Sequence, residues 1–278
     1  MKYLIIGKNG QLGKEFSKDL ENKKADFLSL GHDEIDITKN SSVFSVVDSY
    51  KPDIVINCSA YNQVDLAEKD FETAYKTNSL GVYNLTLAQE KHNFFIVHYG
   101  TDYVFDGEKK DGLYNENDLT NPLSQYAKSK LMGESFLNNN PKSLVFRVSW
   151  VFGQGNQNFI YKLKQWSNNS NNLKISCDEV STPTSAKTIT DITFKSLEKG
   201  LTGLFHLNNS GYCSRHEYAK YVMKVLKNKT FLYPSYANEF NLPAKRPRFS
   251  AMDNNKISNE LNIEIETWED AVKSFLII

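Results

Sequence analysis

Long apolar runs are missing from this 278-residue sequence. The N-terminal stretch Met1-Lys2-Tyr3-Leu4-Ile5-Ile6 meets Gly7 too soon to form the apolar region of a signal peptide or a membrane span. Cysteine is scarce as well: Cys58, Cys177 and Cys213 are odd in number, far apart, and lack the spacing of a zinc site or disulfide framework. These shortages predict reduced thiols, a cytoplasmic chain, no membrane partner and no metal site legible in ligand spacing. Excess charge is absent too, since 33 Lys and Arg balance 33 Asp and Glu. Without a broad positive field the chain is not expected to bind nucleic acid, and any phosphate must be held locally. Internal repeats and low-complexity tracts are also lacking.

What remains is an ordinary globular composition, 40% hydrophobic and 24% charged, long enough for one large domain or for a domain of roughly 150 residues with a smaller companion. Short β-branched runs alternate with stretches of helical period. Tyr3 to Ile6, Asp26 to Leu30, Ile54 to Cys58, Phe94 to Tyr99 and Ser143 to Val148 read as strands of βαβ units in a parallel sheet covered on both faces. The expected fold is α/β, a Rossmann-type doubly wound sheet over residues 1–153. After Gly153 the alternation loosens, with an Asn/Ser-rich stretch and an extended Thr182-Pro183-Thr184. Residues 154–278 are therefore expected to form a smaller α/β substrate domain that returns in part to the first. Within it a helix is predicted over 186–199, a strand over 204–207, and a helix over 215–226 capped by Ser214.

Gly7-Lys8-Asn9-Gly10-Gln11-Leu12-Gly13 follows the first strand and opens a helix, the context in which a glycine pattern signifies dinucleotide binding. Gly7, Gly10 and Gly13 allow a tight turn, backbone approach to a pyrophosphate and close helix-to-sheet packing, while the helix N-terminus supplies N–H donors. A turn with no ligand is the plain alternative. About 20 residues further on, a carboxylate would hold the ribose 2′-hydroxyl; here the strand ends Leu30-Gly31-His32. Its absence predicts that NADPH is tolerated at least as well as NADH. His32 is either a phosphate contact or a solvated loop residue, and Asp36-Ile37 either lies under the adenine or ends a strand.

Tyr126 and Lys130 stand four apart and so share a helix face. A phenol is a poor acid or base near neutrality unless a cation stabilises its phenolate, which is the role expected of Lys130 beside holding a ribose. The pair alone also fits an amphipathic surface helix, so it needs companions. Thr101 supplies one, at the carboxyl end of the strand before Asp102-Tyr103-Val104-Phe105, where open α/β sheets bind ligands. Its hydroxyl can donate to a carbonyl oxygen as negative charge grows there.

These residues together resemble the dTDP-4-dehydrorhamnose reductase family of the extended short-chain dehydrogenases, over nearly the whole chain. The resemblance also rests on Ile56 to Tyr61 with Val64 to Glu68, on Thr101 to Gly107, on Arg147 to Gly153, on Thr182 to Thr184, on Gly203 to Leu207 and on Arg246-Pro247. It implies cofactor contacts at Gly10, Gln11, Leu12, Asp36, Ile37, Ala60, Tyr61, Asn62 and Tyr99, besides Tyr126 and Lys130. Substrate contacts would fall on Thr101, Asp102, Tyr103 and Trp150, with Trp150 equally readable as core. Arg246 is either a fork for the nucleotide's pyrophosphate or a solvated arginine. The implied reaction is NADPH- or NADH-dependent reduction of a 4-keto sugar on a nucleoside diphosphate, by a homodimer. Some family members bind Mg²⁺ at a subunit interface, but no ligand cluster here places one. Gly100, Gly31-His32 and Asn62 depart from the family's usual Ser, Asp-Arg and Thr. Alternatives are another nucleotide-sugar reductase or epimerase, and a non-catalytic subunit similar to the regulatory subunit of methionine adenosyltransferase. The intact Thr101, Tyr126 and Lys130 argue against the last, and Tyr103 against a dehydratase, which needs a carboxylate there.

Overall fold

In the computed structural model, which describes residues 1–277, strands β1 (Lys2–Ile6), β2 (Asp26–Leu30), β3 (Ile54–Asn57), β4 (Phe95–Thr101) and β5 (Ser143–Val148) alternate with helices α1 (Gln11–Asn22), α2 (Asn40–Tyr50), α3 (Phe71–Tyr75), α4 (Gly81–His92) and α5 (Gln125–Ser135). Residue 278, the last of the expected second region, lies outside the described residues. Beyond β5 follow β6 (Val151–Phe152), α6 (Phe159–Asn169), β7 (Asn172–Ser176), β8 (Val180–Ser181), β9 (Thr184–Ser185), α7 (Ala186–Lys199), β10 (Gly203–His206), β11 (Cys213–Ser214), α8 (Arg215–Val225), β12 (Phe231–Ser235), α9 (Asn255–Leu261) and α10 (Trp268–Ile277).

The five predicted strand runs all form strands because each feeds apolar side chains to both faces of one parallel sheet. Leu4, Ile6, Val55, Ile96 and Val145 pack on Val43, Val47, Val82 and Leu85 of α2 and α4. Ile5, Ile56, Val97, Leu144 and Phe146 point the other way, onto Phe16 and Leu20 of α1 and Ile189 and Ile192 of α7. Each of these aliphatic side chains, once buried, contributes about 2 kcal/mol.

The strand order is β2-β1-β3-β4-β5-β10, with every pair parallel. From β1 the chain first steps outward to β2, then crosses back to place β3 on the other side of β1. The loops after β1 and β3 therefore diverge and leave a crevice at the carboxyl ends of the strands. Gly7 turns the chain out of β1 at φ +95°, and a Cβ on Gly13 would lie 2.2 Å from the Gly7 carbonyl oxygen. No side chain fits at Gly13, so α1 packs directly against the turn.

Beyond 153 the chain both builds a second core and rejoins the first. Phe152, Ile160, Leu163, Tyr218, Val222 and Trp268 form a separate cluster, while β10 extends the main sheet beside β5. The helix expected over 215–226 runs Arg215–Val225, and Ser214 caps it in a reciprocal box with Glu217. No described helix is long and apolar enough to cross a membrane.

Candidate active site

Thr101 is the last residue of β4, so its side chain emerges where the sheet opens. Its hydroxyl accepts from the Tyr103 amide at 3.2 Å and donates to Asp102 Oδ1 at 3.3 Å. Tyr126 and Lys130 project from one face of α5, both buried, after Ser124 caps the helix by accepting from the Ala127 amide. Two contacts fix the helix in place. Asn78 receives the Tyr61 amide at 2.8 Å and donates to the Ser129 hydroxyl at 2.9 Å, and Glu68 receives the Gln125 amide at 2.8 Å. Tyr61 is thus tied to α5 through its backbone.

Burial holds the Tyr126 phenol well above its ordinary range; the neighbouring Thr101 hydroxyl works against this, and Asp102 and Tyr103 add to it. Tyr126 is therefore neutral at physiological pH and able to donate a proton. Burial draws Lys130 down to about 8, with Glu134 and Cys58 opposing. Its ammonium donates to the Tyr99 carbonyl oxygen at 2.5 Å.

Asp102 is 2% exposed, and its carboxylate accepts from Ser250 at 2.6 Å and Ser181 at 2.8 Å. Burial nevertheless raises it to about 6, against the pull of Ser250, Ser181, Arg215 and Thr101. Beneath the cleft, Arg147 and Glu134 form a buried ion pair with contacts of 2.6 and 3.0 Å. A Cβ at Gly100 would lie 3.1 Å from the Glu134 carboxylate, so the glycine there makes room for that pair.

A single cleft is lined by Gly10, Gln11, Leu12, Ala60, Asn62, Tyr99, Thr101, Asp102, Tyr103, Tyr126, Lys130 and Trp150. Most of the residues expected to touch cofactor or substrate thus come together. Ser59, Cys58, Val151 and Gln157 also line it; the first three lie in stretches that carry the family resemblance but were assigned no contact, and Gln157 lies outside them. Gly7 and Gly13 lie outside the lining and shape the turn. Asp36 and Ile37 also lie outside it: Asp36 accepts from the Thr38 amide and hydroxyl and pairs with Lys39, while Ile37 is buried core. At the α1 N-terminus, Gly10 makes no side-chain cap, so the helix's first amides are left to a ligand; this fits a pyrophosphate.

A neighbouring cavity shares Val64, Tyr103, Trp150, Val151 and Gln157 with the first and adds Lys162, Lys174, Glu179, Arg215 and Arg246. Arg246 holds Asp65 by a two-point pair at 2.6 and 3.0 Å. Burial would lower its pKa, but Asp65, Tyr103 and Glu179 hold it above the ordinary value. Arg246 is therefore neither solvated nor free. Trp150 adopts φ +39°, rare for a bulky residue. Its ring stacks on Tyr218, and the Arg215 guanidinium lies 3.6 Å from the ring centroid. Arg215 went unread in the sequence because it stands 65 positions from Trp150 in no recognisable pattern. Among the described residues no group of three His, Cys, Asp or Glu side chains is arranged to hold a metal.

A glycine turn at the switch point of a parallel sheet, with Thr, Tyr and Lys in the same cleft, defines an oxidoreductase of the extended short-chain dehydrogenase type. The chain matches the RmlD substrate binding domain family over residues 1–277. It belongs to that family, the dTDP-4-dehydrorhamnose reductases. It is 35% identical to a dTDP-4-dehydrorhamnose reductase of Aggregatibacter actinomycetemcomitans, over 98% of this chain and 97% of the relative. The solved dTDP-4-dehydrorhamnose reductase of Clostridium acetobutylicum superposes with a TM-score of 0.95 at 34% identity, over 100% of this chain and 99% of that one. That of Bacillus anthracis, solved in complex with NADP, gives 0.94 at 31% identity over 99% and 98%.

Proposed function

We propose that the chain uses NADPH or NADH to reduce the 4-keto group of a nucleotide-linked 6-deoxysugar, converting dTDP-4-dehydro-L-rhamnose to dTDP-L-rhamnose. The reading is carried by Thr101, Tyr126 and Lys130 lining the same cleft as the glycine turn Gly10 to Leu12. When bound, the reduced nicotinamide supplies the hydride that goes to the sugar C4. Thr101 donates a hydrogen bond to the carbonyl oxygen and strengthens it as charge builds there. Tyr126, which holds its proton at neutral pH, gives it to the same oxygen, completing the alcohol. Lys130 then returns a proton to the phenolate, and its lowered pKa suits that exchange near neutrality.

Residues 1–153 act as the dinucleotide-binding part and residues from 154 onward as the nucleotide-sugar part, with α7 and β10 rejoining the first. Trp150, Tyr103 and Asp102 border the sugar, while Arg215 lies in the adjoining cavity on the side suited to a diphosphate, beside Arg246, whose Nη1 and Nη2 are held by Asp65. Gln11, Leu12, Ala60, Asn62 and Tyr99 border the cofactor. The protein works in the cytoplasm as a homodimer, which sedimentation equilibrium checks. The decisive experiment mixes purified protein, NADPH or NADH and a dTDP-4-keto-6-deoxysugar. Loss of nicotinamide absorbance that Tyr126→Phe abolishes supports the reading, and no turnover with any keto sugar overturns it.

A further inference from the structure

The carboxyl end of β2 is where a doubly wound fold reads the adenosine ribose, and a carboxylate there ordinarily takes the 2′-hydroxyl. Sequence position alone leaves this place to Gly31 and His32. In three dimensions it is filled from further along the chain. The Glu34 carboxylate turns back to accept the Gly31 amide at 2.8 Å, and the same oxygen pairs with Lys8 Nζ at 2.5 Å. Lys8 belongs to the glycine turn, whose Gly7 and Lys8 amides both donate to the Leu30 carbonyl oxygen, at 2.8 and 3.1 Å. The glycine turn and the end of β2 are therefore bound together at the point where acid and base meet. A Cβ on Gly31 would meet the Asn9 side-chain nitrogen at 3.0 Å and lie in ordinary contact, 3.6 Å, with the Glu34 carboxylate.

We infer that Lys8 and Glu34 together read the ribose 2′ position of the dinucleotide, Glu34 accepting from a 2′-hydroxyl and Lys8 donating to a 2′-phosphate. This rests on the proposed binding of NAD(P)H over the glycine turn. The two ligands make opposite demands on one ion pair. A 2′-hydroxyl finds an acceptor already held by the Gly31 amide and by Lys8. A 2′-phosphate must draw Lys8 away and meets the charge of Glu34, which hydrogen bonds from Lys8 and the Gly31 amide keep ionised. Both coenzymes are then accepted, and the carboxylate sets the ratio between them. Each side chain is partly exposed, 38% for Lys8 and 44% for Glu34, so the pair can open without disturbing the core.

The test is calorimetric titration of the whole protein with NADH and NADPH in the absence of sugar, on wild type, Glu34→Gln and Lys8→Met. Glu34→Gln keeps an acceptor for the Gly31 amide but removes the charge. It is expected to tighten NADPH relative to NADH by about fivefold, the upper end for an exposed charge. Lys8→Met is expected to move the ratio the opposite way. The NADPH affinity of Glu34→Gln should also fall more steeply with salt than its NADH affinity. Binding of both dinucleotides with a ratio unchanged in both variants overturns the inference and leaves the cofactor reading intact. Binding of only one dinucleotide to the wild type overturns the inference alone, and failure of both to bind overturns the cofactor reading with it.

Discussion

Asp102 carries an ionisable group where the fold does not favour a charge. It is 2% exposed, with hydroxyl donors from Ser250, Ser181 and Thr101 around it, and burial still raises it from the ordinary 3.8 to about 6. That distance corresponds to a penalty of about 3 kcal/mol for holding it ionised. The sign follows from proton counting. Between pH 3.8 and about 6 the folded chain binds more protons at this site than the unfolded chain, so stability falls as pH rises through that window. Asp102→Asn has the same shape and no charge, and its amide can donate to the neighbouring hydroxyls. Rearranging those hydrogen bonds costs about 1 kcal/mol, leaving a net gain of about 2 kcal/mol above pH 6. For a chain of this size that raises Tm by about 4 to 8 °C. Thermal unfolding followed by circular dichroism on both sides of the window measures it. A variant less stable than wild type at neutral pH, or shifted equally at all pH values, refutes the reasoning. If Asp102 borders the sugar as proposed, the more stable variant is the poorer enzyme, an exchange common at functional sites.

Further outcomes follow from other parts of the site. Because the Lys130 ammonium exists below about pH 8 and is lost above it, kcat/KM for the keto sugar is expected to decline on the alkaline side of that value, measured by initial rates across a pH series. Arg215→Met removes the cation beside Trp150 and is expected to raise KM for the nucleotide sugar about tenfold. Dinucleotide affinity measured without sugar should stay unchanged. Glu134→Gln leaves Arg147 buried without its counter-charge and is expected to cost about 3 to 5 kcal/mol in urea unfolding.

The parallel sheet was legible because its strands are short apolar runs whose neighbours are set by sequence order and crossover rules. Ile54 to Asn57 and Ser143 to Val148 needed no tertiary information. The Tyr126 and Lys130 pair was legible through helical spacing, and Thr101 through its place at a strand end. What escaped depends on contacts between distant segments. Ser181 and Ser250 close over Asp102 from 79 and 148 positions away. Arg215 reaches Trp150 only after the chain has built a second core around Tyr218 and Trp268. Glu34 was missed at shorter range, because a turn brings its carboxylate back three residues to Gly31, and counting along the strand looks for the acid at the strand end itself. Arg246 read as a possible free donor because Asp65, which occupies it, lies 181 positions earlier.

In the proposed reaction a hydride passes to the sugar C4 in this cleft while Tyr126 protonates the oxygen. Running the reaction with a reduced dinucleotide carrying deuterium at both nicotinamide C4 positions, then locating the label by NMR, distinguishes the outcomes. One deuterium is expected on C4 of the product sugar, and none from Tyr126→Phe under the same conditions. Label at another carbon, or an unlabelled product formed at the wild-type rate, contradicts it.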